Sequence, residues 1–309
     1  MPVLEIEVVS STPERLPDDV ILALAYGPGD ASGAPGVLQT GLSTLDGAPA
    51  LEVWRTSAAV TAGVDGPVRH CANRKFLCGI IDLDESRFRG IADAAESAYR
   101  WIREFQERQA QRHLLRVWNF LDSINAGEGD LERYRQFCVG RARGLAGLAS
   151  EKLPAATAVG RTRRTGRVQV CWLAGRTAGT PVENPRQVRA YLYPQQYGPS
   201  PPAFARGMRL DTGELMGSGT SSIVGHESRH EGDLHAQVDE TIANLRKLHR
   251  AGGGAGEPAG LKVYLRDHAD ATGIAEKIRD GLSAPGQPLL IAADICRREL
   301  LVEIECLWT

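Results

Sequence analysis

Lysine is scarce in this chain of 309 residues: five of its 36 basic residues are lysine and the rest are arginine. A biased genome produces such a skew without functional cause, so it gains meaning only where an arginine falls beside other site-like residues. There the guanidinium fork grips carboxylates through two parallel hydrogen bonds. Net charge is also lacking. A formal balance of −2 provides no basic excess of the kind a nucleic-acid binder concentrates on one face. No apolar run of about 18 residues occurs, which excludes a membrane-spanning helix. The six cysteines (Cys71, Cys78, Cys138, Cys171, Cys296 and Cys306) show no paired spacing and are expected as reduced thiols. Met1-Pro-Val-Leu-Glu-Ile-Glu7 carries acidic residues where a signal peptide needs a basic start and an apolar core. The expected setting is the cytoplasm, with neither nucleic acid nor membrane as partner.

What is present belongs to a globular protein. Hydrophobic residues make up 42% and charged residues 24%, and the length suits two domains with real cores. Two stretches about 140 residues apart read as one supersecondary unit written twice. The first is Arg74–Ile81 as a strand, a helical pattern over 91–111, Leu115–Leu121 as a strand and a second helical pattern over 131–145. The second is Gly219–Gly225, a helical pattern over 234–249, Leu261–Arg266, and helix again over 273–282. Each helix has one apolar stripe that a sheet must cover. The expectation is therefore an α+β fold of two halves, residues 1–150 and 151–309, each with a mixed sheet and its helices on one face. The crossing between halves is expected over 146–156, and a pocket is expected where the halves meet.

Several motifs compete for a functional reading. His226-Glu-Ser-Arg-His230 matches the zinc-protease pattern, which needs both histidines one turn apart on a helix. Glycines flank it, and the convincing helix starts only near Leu234 with Asp233 as its N-cap; no metal site is expected. Gly217-Ser-Gly-Thr220 lacks the lysine and the spacing of a phosphate loop. The tyrosines of Tyr191-Leu-Tyr193-Pro-Gln-Gln-Tyr197 serve packing or a site equally well. The last strand, Leu300 to Trp308, alternates so that Glu303 and Glu305 share one face. An edge strand often exposes such carboxylates, whereas a strand ending at an interface buries them.

Taken together, these segments resemble a known family. The sheet–helix repeat and the ending Val302-Glu-Ile-Glu305 are similar to the RidA/YjgF superfamily. Asn184-Pro-Arg-Gln-Val188, Ala190-Tyr-Leu-Tyr-Pro-Gln-Gln-Tyr-Gly198, Ser218-Gly-Thr-Ser-Ser-Ile-Val-Gly-His226 and Asp294-Ile-Cys-Arg-Arg-Glu-Leu-Leu-Val-Glu303 resemble the chorismatases more closely. So do Arg116-Val-Trp-Asn-Phe120 and Glu132-Arg-Tyr-Arg-Gln-Phe137. Leu290-Ile-Ala-Ala293 lacks the arginine with which the RidA imine deaminases hold a substrate carboxylate, which counts against imine hydrolysis.

The resemblance implies two RidA/YjgF-like halves and a cofactor-free enzyme, active as a monomer or small homo-oligomer, that cleaves chorismate to pyruvate and an aromatic or dihydroxy acid. It implies Glu303 as the acid that protonates the enol ether, with Glu305 as its rival. Cys296, seven residues earlier, would favour 3-hydroxybenzoate, with 4-hydroxybenzoate or a dihydrodiol as alternative products. Tyr193, Arg206 and Arg266 would hold the dianion, with Gly219, Ser221 and Ser222 beside it. The competing reading is a RidA-like deaminase or a non-catalytic binder of small carboxylates.

Overall fold

The computed structural model describes residues 4–10, 16–29, 33–266 and 270–309. Strands β1 (Leu4–Val9), β2 (Val20–Tyr26), β3 (Val37–Gln39), β4 (Ser43–Thr44) and β5 (Ala50–Thr56) open the chain. Four of them form a sheet in the order β1-β5-β2-β3, and β4 leaves it to pair with the far edge of the last sheet.

The first repeat contains β6 (Thr61–Asp65), β7 (Val68–Ala72), β8 (Phe76–Asp84), α1 (Ile91–Glu107), β9 (His113–Asp122), α2 (Arg133–Gly144), β10 (Ala155–Arg161) and β11 (Arg167–Gly175). The second contains β12 (Thr180–Val182), β13 (Gly207–Arg209), β14 (Leu215–Gly217), a hairpin of β15 (Ile223–Val224) and β16 (Glu227–Ser228), α3 (Leu234–Ala251), β17 (Pro258–Leu265), α4 (Ala271–Leu282), β18 (Leu289–Ala292) and β19 (Val302–Trp308). Their sheets run β10-β9-β11-β8-β7-β6 and β18-β17-β19-β14-β13-β12. The orders match position for position. In both, the only parallel pair within the repeat is the one that a helix crosses over, β9 with β10 and β17 with β18, as a parallel connection requires. The expected α+β class, two halves with helices on one face of a mixed sheet, is what the chain adopts.

Two details differ from the sequence expectation. Strands β10 and β11 complete the first sheet, so the chain passes to the second repeat after Gly175, not over 146–156, and a division at residue 150 would cut through the first sheet. Residues 146–156, with Pro154 among them, read as the crossing, but β10 has to return beside β9 once α2 has crossed the sheet. The strand of the second repeat is β14, ending at Gly217; residues 219–222 run irregularly with a bridge from Thr220 to Ile304, then β15 begins, and Gly225 bridges to Gln187.

Strand alternation sorts the side chains into cores. In β11, Val168, Val170, Trp172 and Ala174 pack with α1 and α2; in β19, Val302, Ile304, Cys306 and Trp308 pack with α3 and α4. The opposite faces of both sheets, carrying Cys171, Leu173 and Leu307, share a third core with Leu24, Tyr26 and Trp54 of the N-terminal sheet. Because β19 lies between β14 and β17 and is buried along its length, Glu303 and Glu305 are interior residues, not residues of an exposed edge.

Helices α1 and α2 approach through two glycines one turn apart. A Cβ on Gly140 would stand 2.1 Å from the carbonyl oxygen of Ala92, and one on Gly144 2.6 Å from Tyr99 Cβ. Ala in place of a helical glycine gains up to about 1 kcal/mol of propensity, while overpacking against backbone costs about 1–3 kcal/mol. Gly140→Ala is expected to destabilise the fold by about 1–2 kcal/mol in urea unfolding; an unchanged or raised midpoint would mean that the two helices can separate freely.

Candidate active site

A cavity of about 520 Å³ opens between the two repeats, with Glu303 on its wall. The loop after β14 lies directly over this carboxyl group. Thr220 exchanges two backbone hydrogen bonds with Ile304, 3.0 and 2.8 Å, so Gly219 is pressed against Glu303. A Cβ there would stand 2.0 Å from Glu303 Oε1; only glycine permits the approach. Ser221 Oγ donates to Glu303 Oε2 at 3.3 Å, and Gly219 N donates to Thr157 Oγ1 at 2.9 Å.

Helix α3 presents buried polar side chains at helical spacing, Gln237, Thr241 and Asn244; Thr241 bonds within the helix, and Asn244 holds this loop from behind. Asn244 Nδ2 donates to the carbonyls of Ser221 (3.0 Å) and Ile223 (2.9 Å). Gln237 bonds the backbone of Glu299 and Leu301, each at 2.8 Å, and so fixes the segment that carries Cys296 and Arg297. The site thus rests on a helix rather than on free loops.

The two carboxyls of β19 have opposite fates. Burial raises the Glu303 carboxyl, the neighbouring Glu305 carboxylate raises it further, and the Ser221 hydrogen bond with Arg116 and Arg206 only partly opposes this; it is pushed up to about 8. Burial would raise Glu305 too, but Lys262 and Arg116, with hydrogen bonds from Trp118 and Thr157, outweigh it and hold this carboxyl at about 2. Arg116 Nη2 and Lys262 Nζ lie 3.1 and 3.2 Å from Glu305 Oε2. Trp118 Nε1 donates to the same oxygen at 2.9 Å, and the Tyr264 hydroxyl donates to Oε1 at 3.0 Å. At neutral pH Glu303 is the one of the two carboxyls that holds a proton.

Opposite Glu303 are guanidinium groups that form no close ion pair among the described residues, although the Glu183 carboxyl acts on Arg206 at longer range. Arg206, 4% exposed, donates from Nη2 to the Tyr193 hydroxyl at 2.6 Å and to the Val188 carbonyl at 3.0 Å. It packs over the rings of Tyr193 and Phe204, and its Nε has no hydrogen-bond partner. Arg141, 2% exposed, comes from α2, stacks on Phe137 and donates to Cys138 Sγ at 3.6 Å. Arg297 lies 4.0 Å over the Tyr197 ring, and the Tyr197 hydroxyl meets His226 Nδ1 at 3.1 Å. A buried charge without a counter-ion costs several kcal/mol. The cavity is therefore built for an anion that arrives from outside.

Six of the sequence candidates meet here: Glu303, Cys296, Tyr193, Arg206, Gly219 and Ser221 all line the cavity. Two do not. The Ser222 hydroxyl turns away to the Arg229 carbonyl at 2.9 Å. Arg266, just past the end of β17, pairs with Asp294 and donates to Asn125 Oδ1 (2.9 Å) and to the carbonyls of Leu300 (3.1 Å) and Ile295 (3.0 Å). It clamps the 294–300 segment and does not face the cavity. The sequence reading missed Arg141, Tyr134, Arg297 and Thr157. For Arg141 a signal existed: Tyr134, Phe137, Cys138 and Arg141 share one face of α2, and an arginine inside an apolar stripe is anomalous. The His226–His230 segment forms the β15–β16 hairpin and its exit, not a helix, and Asp233 caps α3 by accepting from Ala236 N at 3.0 Å.

As a clamp, Arg266 should act on stability. Arg266→Ala is expected to lower unfolding stability by about 2 kcal/mol or more, through a buried network losing its donor. Substrate affinity reduced at unchanged thermal stability would put Arg266 back in the site.

The comparisons with known proteins agree with this geometry. The family model described as chorismatase FkbO/Hyg5-like, N-terminal, matches residues 52–174, ending at the last strand of the first sheet. A 3-hydroxybenzoate synthase of Streptomyces hygroscopicus is 35% identical over 286 residues, covering 83% of this chain and 81% of the relative. A chorismatase of the same organism is 33% identical over 318 residues, 96% of this chain and 91% of the other. A solved chorismatase structure aligns with a TM-score of 0.84 at 29% identity over 99% of this chain and 98% of its own. Similarity of this extent covers both repeats and the cavity between them, and the chain belongs to the chorismatase family.

Proposed function

We propose that the protein cleaves chorismate to pyruvate and 3-hydroxybenzoate with Glu303 as the general acid. The observation that carries the reading is a carboxyl kept protonated to about pH 8 on the wall of a cavity whose buried arginines form no close ion pair among the described residues. Chorismate is a dianion with two separated carboxylates, and Arg206 with Tyr193, and Arg141, offer two separate anion-binding points. The enol ether between them is unreactive until its methylene carbon gains a proton. Glu303 supplies that proton, giving an oxocarbenium ion. Attack by the ring's own hydroxyl then breaks the bond from ring carbon to ether oxygen, and the enolpyruvyl group leaves as pyruvate. The oxide so formed on the ring loses a ring proton as it rearomatises to 3-hydroxybenzoate, and a proton returns to Glu303. The atoms of chorismate alone balance the two products, with no oxidant or reductant.

Cys296 is half-buried beside Glu303, and burial together with the Glu303 charge pushes its thiol well up. It stays a neutral group that shapes the space around the ring, not a nucleophile. That role supports the hydroxybenzoate outcome, since water reaching the cation first would give a dihydrodiol. The six cysteines are free thiols, in keeping with a cytoplasmic setting. Because both repeats of one chain wall the cavity, a monomer would carry a complete site.

Incubation of the purified protein with chorismate, with the products identified, tests the reading directly; release of pyruvate without 3-hydroxybenzoate would overturn the product assignment. Glu303→Gln is expected to lower turnover by a factor of about 10² to 10⁴, the usual contribution of a general acid, while chorismate still binds. Arg206→Ala and Arg141→Ala should instead raise KM more than they lower kcat. The raised carboxyl also fixes a pH limb. Glu303 is protonated below about pH 8, so kcat/KM should fall as pH rises through that value; a profile flat to pH 10 would exclude it as the acid. Cys296→Val is expected to change the ratio of 3-hydroxybenzoate to other products more than the rate, and an unchanged mixture would make Cys296 ordinary packing.

A further inference from the structure

Behind Glu303, on the side away from the cavity, four ionised side chains form a continuous chain through the core shared by the three sheets. Arg116 of β9 and Lys262 of β17 both hold Glu305 Oε2, at 3.1 and 3.2 Å. The same Lys262 Nζ lies 2.8 Å from Oε2 of Glu52, which stands on β5 of the N-terminal sheet. The Tyr26 hydroxyl (2.9 Å) and Trp54 Nε1 (2.8 Å) complete the environment of Glu52. None of the four is more than 7% exposed, and none lines the cavity that holds Glu303.

The chain contains two cations and two anions and is neutral as a unit. That neutrality decides which charge Glu303 experiences. From its own strand Glu303 faces the Glu305 carboxylate, from β9 the Arg116 guanidinium, and from the approach to β13 that of Arg206. The Ser221 hydroxyl faces it from the loop after β14, and Tyr264 is its register partner on β17. Tyr134 of α2 and Cys296 face it from the remaining side, and both are neutral; Arg141 and Arg297 stand further along the cavity wall. With two guanidiniums already pointing at it, Glu303 would ionise readily if the chain behind it carried an extra positive charge. Lys262 is that charge, and Glu52 is what cancels it.

We propose that Glu52, in a different sheet and out of reach of substrate, is a positioning residue for the acid: by engaging Lys262 it keeps the ion chain neutral, so that Glu303 holds its proton. The N-terminal sheet then has a part in the reaction that its distance from the cavity hides. This inference rests on the reading of Glu303 as the acid.

The test compares Glu52→Gln with Glu52→Asp. The first removes the charge at constant length and keeps one acceptor oxygen, enough for Tyr26 or Trp54 but not for both, which bond different oxygens of Glu52; the second keeps the charge and both oxygens. Two readouts are followed against pH: kcat/KM for chorismate, and the infrared C=O band of the protonated Glu303 carboxyl, identified by its loss in Glu303→Gln. At an effective interior dielectric of about 20, a unit charge in this part of the core is worth roughly one pH unit. The expected result is that Glu52→Gln moves both the activity limb and the infrared titration about one unit below the wild-type value, with turnover near wild type at about pH 6. Glu52→Asp should leave both in place. An unmoved infrared titration in Glu52→Gln overturns the proposal, as does an equal shift in Glu52→Asp, which would indicate disturbed packing and not charge. An infrared titration that moves while the activity limb stays still would leave the ion chain intact and refute Glu303 as the acid instead.

Discussion

Two carboxyls placed two residues apart on a buried strand must both enter the same core, because side chains alternate across a strand and β19 has its helices on the other face. Two buried like charges cannot both be tolerated close together. Much of the interior answers that constraint. Lys262, Arg116, Trp118 and Tyr264 converge on Glu305 and fix it as the carboxylate. Glu303, with one weak hydroxyl donor at 3.3 Å, is left to keep its proton. The separation of an anion from a neutral acid is thus produced by unequal donor supply along a single strand.

Donor supply is also why the fold was more legible than the site. The duplicated order could be read because an apolar stripe at helical spacing and an alternating strand are local patterns, and both recur in the chain. The final alternation put Glu303 and Glu305 on one face, which is correct. Which of them keeps its proton depends on Arg116 from β9 and Lys262 from β17, groups brought to Glu305 only by sheet pairing. Arg266 misled for the same reason: its motif position is right, but it lies beyond the last ladder pair of β17, where its fork meets Asp294 and backbone carbonyls. The division at residue 150 failed because Pro154 resembles a linker, whereas a parallel β10 must follow the crossover helix.

The loop over Glu303 illustrates how the second repeat diverged from the first to make a site. In the first repeat β8 runs unbroken for nine residues, while its counterpart β14 stops after three. Ending the strand at Gly217 releases the backbone to run irregularly through 218–222 before β15, and Gly219 lets that backbone lie on the Glu303 carboxyl. A continued strand would have covered the same ground with regular ladder bonds and no room for substrate. Asn244 of α3 takes over two of the carbonyls that a ladder would otherwise bond, those of Ser221 and Ile223.

Arg141 and Arg206 complete the argument from the opposite wall. In the free protein their charges are buried among aromatic rings and neutral acceptors, which compensates only part of their desolvation. In the reaction proposed above, a dianion entering the cavity would give both arginines a close carboxylate partner and exclude water from Glu303 in the same step. Its two negative charges also oppose ionisation of Glu303, offsetting the pull of the arginines that would otherwise draw the proton off. On that reading binding pairs the arginines and secures the proton together, so the carboxyl would be most firmly protonated when an enol ether lies beside it.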